Sequence, residues 1–170
     1  MLLLKLLFLI MVANGAPILI RNAFTDMRFN CPLDFNVKFF DGRPLLGTSK
    51  TIRGLVASLL LTPAFALLVG LSFKAGFTIA LFAMLGDSFS SFIKRRMKQH
   101  SGSRAPGLDQ IPESLFPLLA FNVMIADGTG NSHELHLNWP NIMLIVLVFF
   151  ILELVLSRVL YTMKIRKHPY

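Results

Sequence analysis

Five stretches of the chain stay apolar for about the length of a membrane-crossing helix, and the polar residues collect between them. Residues 2–20 are apolar apart from Lys5 and Asn14, residues 54–73 carry no charge, and residues 75–93 carry only Asp87. A shorter run, 112–126, opens with Pro112, a residue favoured at the first helical position, and residues 140–160 carry Glu153 and Arg158 near their far end. The runs are continuous rather than alternating, so each reads as a helix, and about 20 such residues cross a hydrocarbon core. This predicts an all-α integral membrane protein, a single catalytic domain over residues 1–170 with five transmembrane helices.

The basic residues orient it. Arg21, Arg28, Lys38, Arg43, Lys50 and Arg53 lie between the first two spans, and Lys94, Arg95, Arg96, Lys98 and Arg104 between the third and fourth. Arg158, Lys164, Arg166 and Lys167 close the chain, which puts fifteen of the seventeen Lys and Arg on one side. Lys5 and Lys74 fall on the other, and the loop 127–139 has no Lys or Arg. Because basic loops stay in the cytoplasm, the N-terminus is expected outside, the C-terminus inside, and the two long loops cytoplasmic. Ala13-Asn14-Gly15 after an apolar start resembles an export-signal cleavage site, but cleavage would place the basic loops on the wrong face. Upstream of the second span, Phe35, Val37 and Phe39 alternate with Asp34, Asn36 and Lys38, the pattern of a short strand or hairpin lying on the headgroups.

Composition agrees. Of 170 residues 54% are hydrophobic and 15% charged, with sixteen Phe and eight Met and a mean hydropathy of +0.63. This excludes a water-soluble globule, a disordered tail and a disulfide-stapled miniprotein. The single cysteine, Cys31, has no partner for an internal disulfide. A net charge of +8 in a soluble protein would suggest nucleic acid. Here it sets topology and offers phosphate contacts, and no nucleic-acid partner is expected.

Asp87 is the most informative residue. A carboxylate inside an apolar span costs about 2.5–3.5 kcal/mol on insertion scales and needs a partner or a task. At helical spacing Ser90 and Ser91 follow, then Lys94 and Arg95, so acid, hydroxyl and base share one face towards the cytoplasm. The loop before the fourth span delivers Asp109, Gln110 and Glu113, although Glu113 reads equally as a helix-capping acid. Two carboxylates, Asp87 and Asp109, beside several cations suit a divalent metal carrying a polyphosphate, because Mg2+ takes one or two carboxylates and completes its shell with phosphate and water.

The first basic loop, Asp41-Gly42-Arg43-Pro44-Leu45-Leu46-Gly47-Thr48-Ser49-Lys50-Thr51-Ile52-Arg53-Gly54, is no Walker A motif, since Lys50 lies three residues after Gly47 and no βαβ unit surrounds it. Its glycines still permit backbone approach to phosphate. Thr48 or Ser49 can cap the second span, where Lys50 and Arg53 add charge. Asn14, Gly15 and Pro17 interrupt the first span and are pocket candidates. His133, Glu134 and His136 do not make an HExxH zinc site, because the second His comes one residue early. Glu153 reads as the partner of a neighbouring cation.

Taken in order, these segments resemble the archaeal CDP-archaeol synthases and, more distantly, the CDP-diacylglycerol synthases. The resemblance rests on Asn14-Gly15-Ala16-Pro17, on Asp41 to Gly47 running into Lys50-Thr51 and Arg53-Gly54, on Gly86-Asp87-Ser88-Phe89-Ser90-Ser91-Phe92-Ile93-Lys94-Arg95-Arg96, and on Leu108-Asp109-Gln110. The Lys-Asp and His-Gly-Gly elements of the diacylglycerol enzymes are missing, which favours the archaeal branch.

The resemblance implies transfer of the cytidylyl group of CTP to 2,3-di-O-geranylgeranylglyceryl phosphate with Mg2+, giving CDP-archaeol and pyrophosphate. It implies that Asp87 and Asp109 hold the metal, with Asp87, Lys94 and Asp109 as the catalytic set. Asn14, Asp41, Gly42, Arg43, Lys50, Thr51, Arg53, Ser91, Lys94, Arg95 and Gln110 would bind CTP or phosphate. Backbone near Gly15 or Gly42 is a candidate for reading cytosine. The alternatives are a phosphatidate cytidylyltransferase acting on ester lipids and a small transporter with Asp87 on a cation path. A CDP-alcohol phosphotransferase is a further competing reading suggested by Asp41-Gly42, but the run that such a family carries does not follow Gly42. Oligomeric state is not legible.

Overall fold

The computed structural model describes residues 1–23, 31–103, 105–126 and 137–162. Arg28, Arg104, the 127–136 loop with His133, Glu134 and His136, and the tail with Lys164, Arg166 and Lys167 lie outside the described residues. Five helices follow in order: α1 (Leu2–Ala23), α2 (Ile52–Leu68), α3 (Phe73–Arg96), α4 (Gln110–Ala126) and α5 (Trp139–Thr162). By length and composition, three of them can cross a membrane, over Leu2–Arg21, Phe73–Arg96 and Trp139–Val159. The other two are 17 residues long each and mostly apolar, roughly 25 Å of helix, at the short end of the spanning range.

Side-chain chemistry sets these boundaries. The α2 helix starts where the Thr51 hydroxyl accepts the Gly54 N–H at 3.2 Å, so Thr51, rather than Thr48 or Ser49, is the cap. It ends before Gly70, whose φ of +72° suits glycine, and Ser72 caps α3 by accepting the Ala75 N–H at 3.1 Å. The second span is therefore shorter than its apolar run. The α4 helix begins at Gln110, which makes Pro112 its third residue and not its first.

The α3 helix is central, packing against α1, α2 and α4, while α5 lies mainly on α4. Leu6, Leu9 and Ile10 of α1, Ile79 of α3, Leu118 and Phe121 of α4, and Ile142 and Phe149 of α5 build the core. Large apolar side chains such as Leu60, Leu68, Leu147 and Ile151 face outward, the arrangement hydrocarbon solvates. Small residues allow close crossings. A Cβ on Gly86 would collide with the Pro112 carbonyl, so α3 and α4 meet at backbone contact next to Asp87.

Proline creates a second inter-helix tie. Pro17 has no N–H for the Ala13 carbonyl four residues back. The Ser58 hydroxyl of α2 donates to that carbonyl at 2.9 Å, so α1 continues unbroken and is bonded to α2 at this level.

Among the described residues there is no strand. The alternating segment at 34–39 belongs to a hairpin-like loop with isolated bridges Pro32 to Thr51 and Lys38 to Pro44. Asp34 holds this loop together. Its Oδ2 accepts the Leu46 and Gly47 N–H groups at 2.8 Å each, and its Oδ1 accepts the Asn36 N–H at 3.1 Å.

Candidate active site

A cavity of about 410 Å3 opens where α2 begins and α3 ends. Its wall includes Asn14 and Pro17 of α1, residues 48–51 with Arg53 and Gly54, Asp87, Ser88 and Lys94 of α3, Asp109, Gln110 and Glu113 around the start of α4, and Glu153 and Ser157 of α5. Most of the polar residues singled out from sequence thus meet at one end of an apolar bundle.

Two acid–base pairs dominate. The Lys50 ammonium is paired with Asp87 Oδ1. Lys94 Nζ lies 2.7 Å from Asp109 Oδ1 and donates to the Ser103 carbonyl at 2.9 Å. Asp109 is further fixed by the Ala105 N–H, which donates to Oδ2 at 3.0 Å, and Gln110 Oε1 accepts the Gly107 N–H at 2.8 Å. The Glu113 carboxyl is in hydrogen-bond contact with Asp87. Burial alone would push the Lys50 pKa down. The carboxylates of Asp87, Glu113 and Asp109 outweigh it and hold this ammonium above its ordinary value.

Each element places its residue for a local reason. The Asp34 clasp and the positive φ of Gly47, +94°, turn the loop so that Lys50 enters the cavity just before the Thr51 cap. A Cβ on Gly47 would lie 2.7 Å from Ser101 Oγ, where the second loop crosses over. Ser101 also meets Thr48 Oγ1 at 3.3 Å and the Ser49 N–H at 3.2 Å, joining the two loops. Asp87 and Lys94, seven residues apart on α3, return to the same face after two turns. Asn14 donates to the Ile10 carbonyl at 3.1 Å, leaving its Oδ1 buried without a hydrogen-bond partner among the described residues.

Not every expected residue is there. Asp41, Gly42 and Arg43 are absent from the cavity wall and form a fastening instead. Arg43 Nη1 donates to the Arg95 and Arg96 carbonyls at 3.4 and 3.3 Å, closing the C-terminus of α3. Arg96 donates to Asp41 Oδ1 at 2.7 Å and to the Pro44 carbonyl at 2.6 Å, with its guanidinium over the Phe39 and Phe92 rings. Gly42 supplies the turn at a φ of +74°. Ser91 and Arg95, 1% and 3% exposed, are packed inside the protein and off the cavity wall. Gly15 does not line it either. Ser88, Glu113 and Glu153 do, although from the sequence Glu113 reads equally as a helix-capping acid and Glu153 as the partner of a neighbouring cation. No sequence signal separates an acid beside a helix end from an acid on a cavity wall.

Among the described residues no three His, Cys, Asp or Glu are gathered as a metal cage. Asp87 and Asp109 nevertheless offer two hard oxygen donors on one open wall, which fits an ion that takes its remaining ligands from phosphate and water.

The family described as CarS-like CDP-archaeol synthase matches residues 1–170. The chain belongs to the CDP-archaeol synthase family. It is 32% identical to the CDP-archaeol synthase of Sulfurisphaera tokodaii over 169 residues, covering 94% of this chain and 90% of the relative. It is 31% identical to that of Saccharolobus solfataricus over 164 residues, covering 94% and 89%. A solved structure described as "Structural insight into an intramembrane enzyme for archaeal membrane lipids biosynthesis" superposes with a TM-score of 0.72 at 31% identity, covering 90% of each chain. As a CDP-archaeol synthase family member, the protein is a membrane enzyme of archaeal lipid synthesis and a cytidylyltransferase.

Proposed function

We propose that the cavity transfers the cytidylyl group of CTP to the phosphate of 2,3-di-O-geranylgeranylglyceryl phosphate, forming CDP-archaeol and pyrophosphate with Mg2+. The observation that carries this reading is the convergence of Lys50–Asp87 and Lys94–Asp109 on one cavity wall. Asp87 and Asp109 would hold the metal, which when bound offsets charge on the triphosphate and polarises its phosphoryl oxygens.

The chain's own groups position and neutralise. An anionic oxygen of the lipid phosphate attacks the α-phosphorus of CTP, the bond from that phosphorus to the α–β bridging oxygen breaks, and pyrophosphate leaves with the electron pair. The nucleophile comes with the substrate, so no Ser or Cys attack is required. Lys50 and Lys94, already at the carboxylates, pass to phosphate oxygens and stabilise charge as it shifts to the leaving group. Arg53 and the Thr51 end of α2 add positive potential beside them.

The helices cross the membrane five times, N-terminus outside and C-terminus in the cytoplasm, so the cavity opens to the compartment that supplies CTP. The cluster of Lys50, Arg53, Lys94, Arg95 and Arg96 at the cavity end supports this orientation. Beyond Met84, α3 buries Ala83, Ala80, Ile79 and Ala75, an apolar continuation that favours transfer over conduction.

The test is incubation of protein in vesicles with labelled CTP, Mg2+ and either the isoprenoid ether or the diacyl ester lipid phosphate. Label is expected in the ether lipid, with equimolar pyrophosphate. Preference for the ester lipid would make the protein a phosphatidate cytidylyltransferase, and no pyrophosphate with either lipid would reject cytidylyl transfer.

A further inference from the structure

The loop that carries Lys50 has a second end that the reaction does not use. At its tip Phe35, Val37 and Phe40 are 67%, 55% and 99% exposed, with Lys38 among them. Such side chains are favoured in an apolar medium over water, so the exposed set is unfavourable in water. The backbone adds to this. Phe35 and Asn36 sit at positive φ, 49° and 61°, a conformation a bulky aromatic residue adopts rarely. The Phe35 ring gains little packing in return.

The tip is continuous with a surface that faces lipid. Leu85, Phe89 and Phe92 recur at spacings of four and three along the outer side of α3, with Leu85 and Phe89 about half exposed. Phe89 extends the stripe to Phe116 of α4 at 5.5 Å. At the other end Phe92 meets Phe39 edge-on at 5.4 Å, and Phe39 meets Phe40 at 5.1 Å. The apolar stripe therefore does not stop at the end of the helix. It passes to the loop, which the Asp41–Arg96 and Arg43 contacts pin to the end of α3.

We propose that Phe35, Val37, Phe39 and Phe40 form an interfacial anchor, inserted at the headgroup–acyl boundary of the leaflet on the cavity side, with Lys38 meeting anionic lipid phosphate. Aromatic rings and a basic side chain are suited to that depth. Asp34 lies beside the tip and grips the turn at Leu46 and Gly47, three residues before Lys50. The anchor consequently sets the height of Lys50 relative to the headgroups. That consequence rests on the proposed cytidylyl transfer, whereas the insertion itself does not.

The test uses fluorescence of the full chain in vesicles containing anionic phospholipid. Trp139 is the single tryptophan, so Trp139→Phe combined with Phe40→Trp leaves one reporter at the tip. Its emission is expected to be blue-shifted, strongly quenched by lipids brominated near the carboxyl end of the acyl chain, less quenched by lipids brominated near the chain end, and poorly accessible to aqueous iodide. Emission at the wavelength of hydrated tryptophan with full iodide quenching would overturn the anchor. A blue shift without bromine quenching would overturn it too, since the ring would then be covered by protein. No substrate is present, so failure here is distinct from failure to transfer a cytidylyl group.

Discussion

The Gly47 N–H donates a 2.8 Å hydrogen bond to Oδ2 of Asp34. With the Leu46 N–H on the same oxygen and the Asn36 N–H on the other, one carboxylate organises the loop that delivers Lys50. Burial by itself would raise the Asp34 pKa, but the amides of Gly47, Leu46 and Asn36 prevail and hold it below the ordinary 3.8. Asp34→Ala is expected to destabilise this loop by about 1–3 kcal/mol and to raise KM for CTP while the helices remain folded. A group with a depressed folded pKa contributes stability above its unfolded pKa and loses it as pH falls through the folded value. Thermal midpoints of wild type and Asp34→Ala should differ by a constant amount down to about pH 4 and converge below it. A constant gap at lower pH would contradict the clasp.

Asp87→Asn and Asp109→Asn should each lower turnover by at least about 100-fold while leaving the protein folded in detergent. Asp87→Asn also removes the partner of Lys50, at about 1.5–3 kcal/mol of stability. Because Lys50 is held above its ordinary value, that contribution is present below the unfolded lysine pKa and is lost only as pH rises through the folded one. The difference in midpoint should therefore be flat from about pH 7 to about pH 10. Normal rates in either variant would remove that residue from the metal role.

Glu113 touches Asp87 and is assigned here to positioning that carboxylate. Glu113→Ala should raise the Mg2+ concentration needed for half-maximal rate by about 10–100-fold, and Glu113→Gln, which keeps a hydrogen-bonding group there, should recover most of it. Equal effects of both variants would point to the charge rather than to positioning.

The Pro17–Ser58 tie predicts a rescue. Ser58→Ala leaves the Ala13 carbonyl without its donor and should lower stability by about 1 kcal/mol, read as a reduced thermal midpoint in detergent. Pro17→Ala in the same chain restores an N–H four residues on and should regain most of the loss. A double variant less stable than Ser58→Ala alone would contradict this explanation of the tie.

The helices were legible because a long, continuous apolar run fits a helix and not an alternating strand. Their ends were less so. Thr48 and Ser49 are the caps expected from the sequence, but the extended backbone of Thr51 and its hydroxyl on the Gly54 N–H put the cap two or three residues later. The paired acids were legible because Asp87 stands alone in an apolar span. Asp41 and Arg43 misled for the converse reason: the groups that grip a phosphate also grip the C-terminal carbonyls of a helix, and only the fold says which is nearby. Ser91 and Arg95 share a helix face with Asp87 in projection, but α3 turns Ser88 and Lys94 to the cavity and packs Ser91 and Arg95 away from it.

The most direct measurement is anomalous diffraction from crystals of the protein grown with CTP and Mn2+ in place of Mg2+. A single strong manganese peak, or a close pair, is expected within ligand distance of both the Asp87 and Asp109 carboxylates, with the triphosphate against it and Lys50 and Lys94 on phosphate oxygens. Manganese and triphosphate bound away from these two carboxylates would contradict the account.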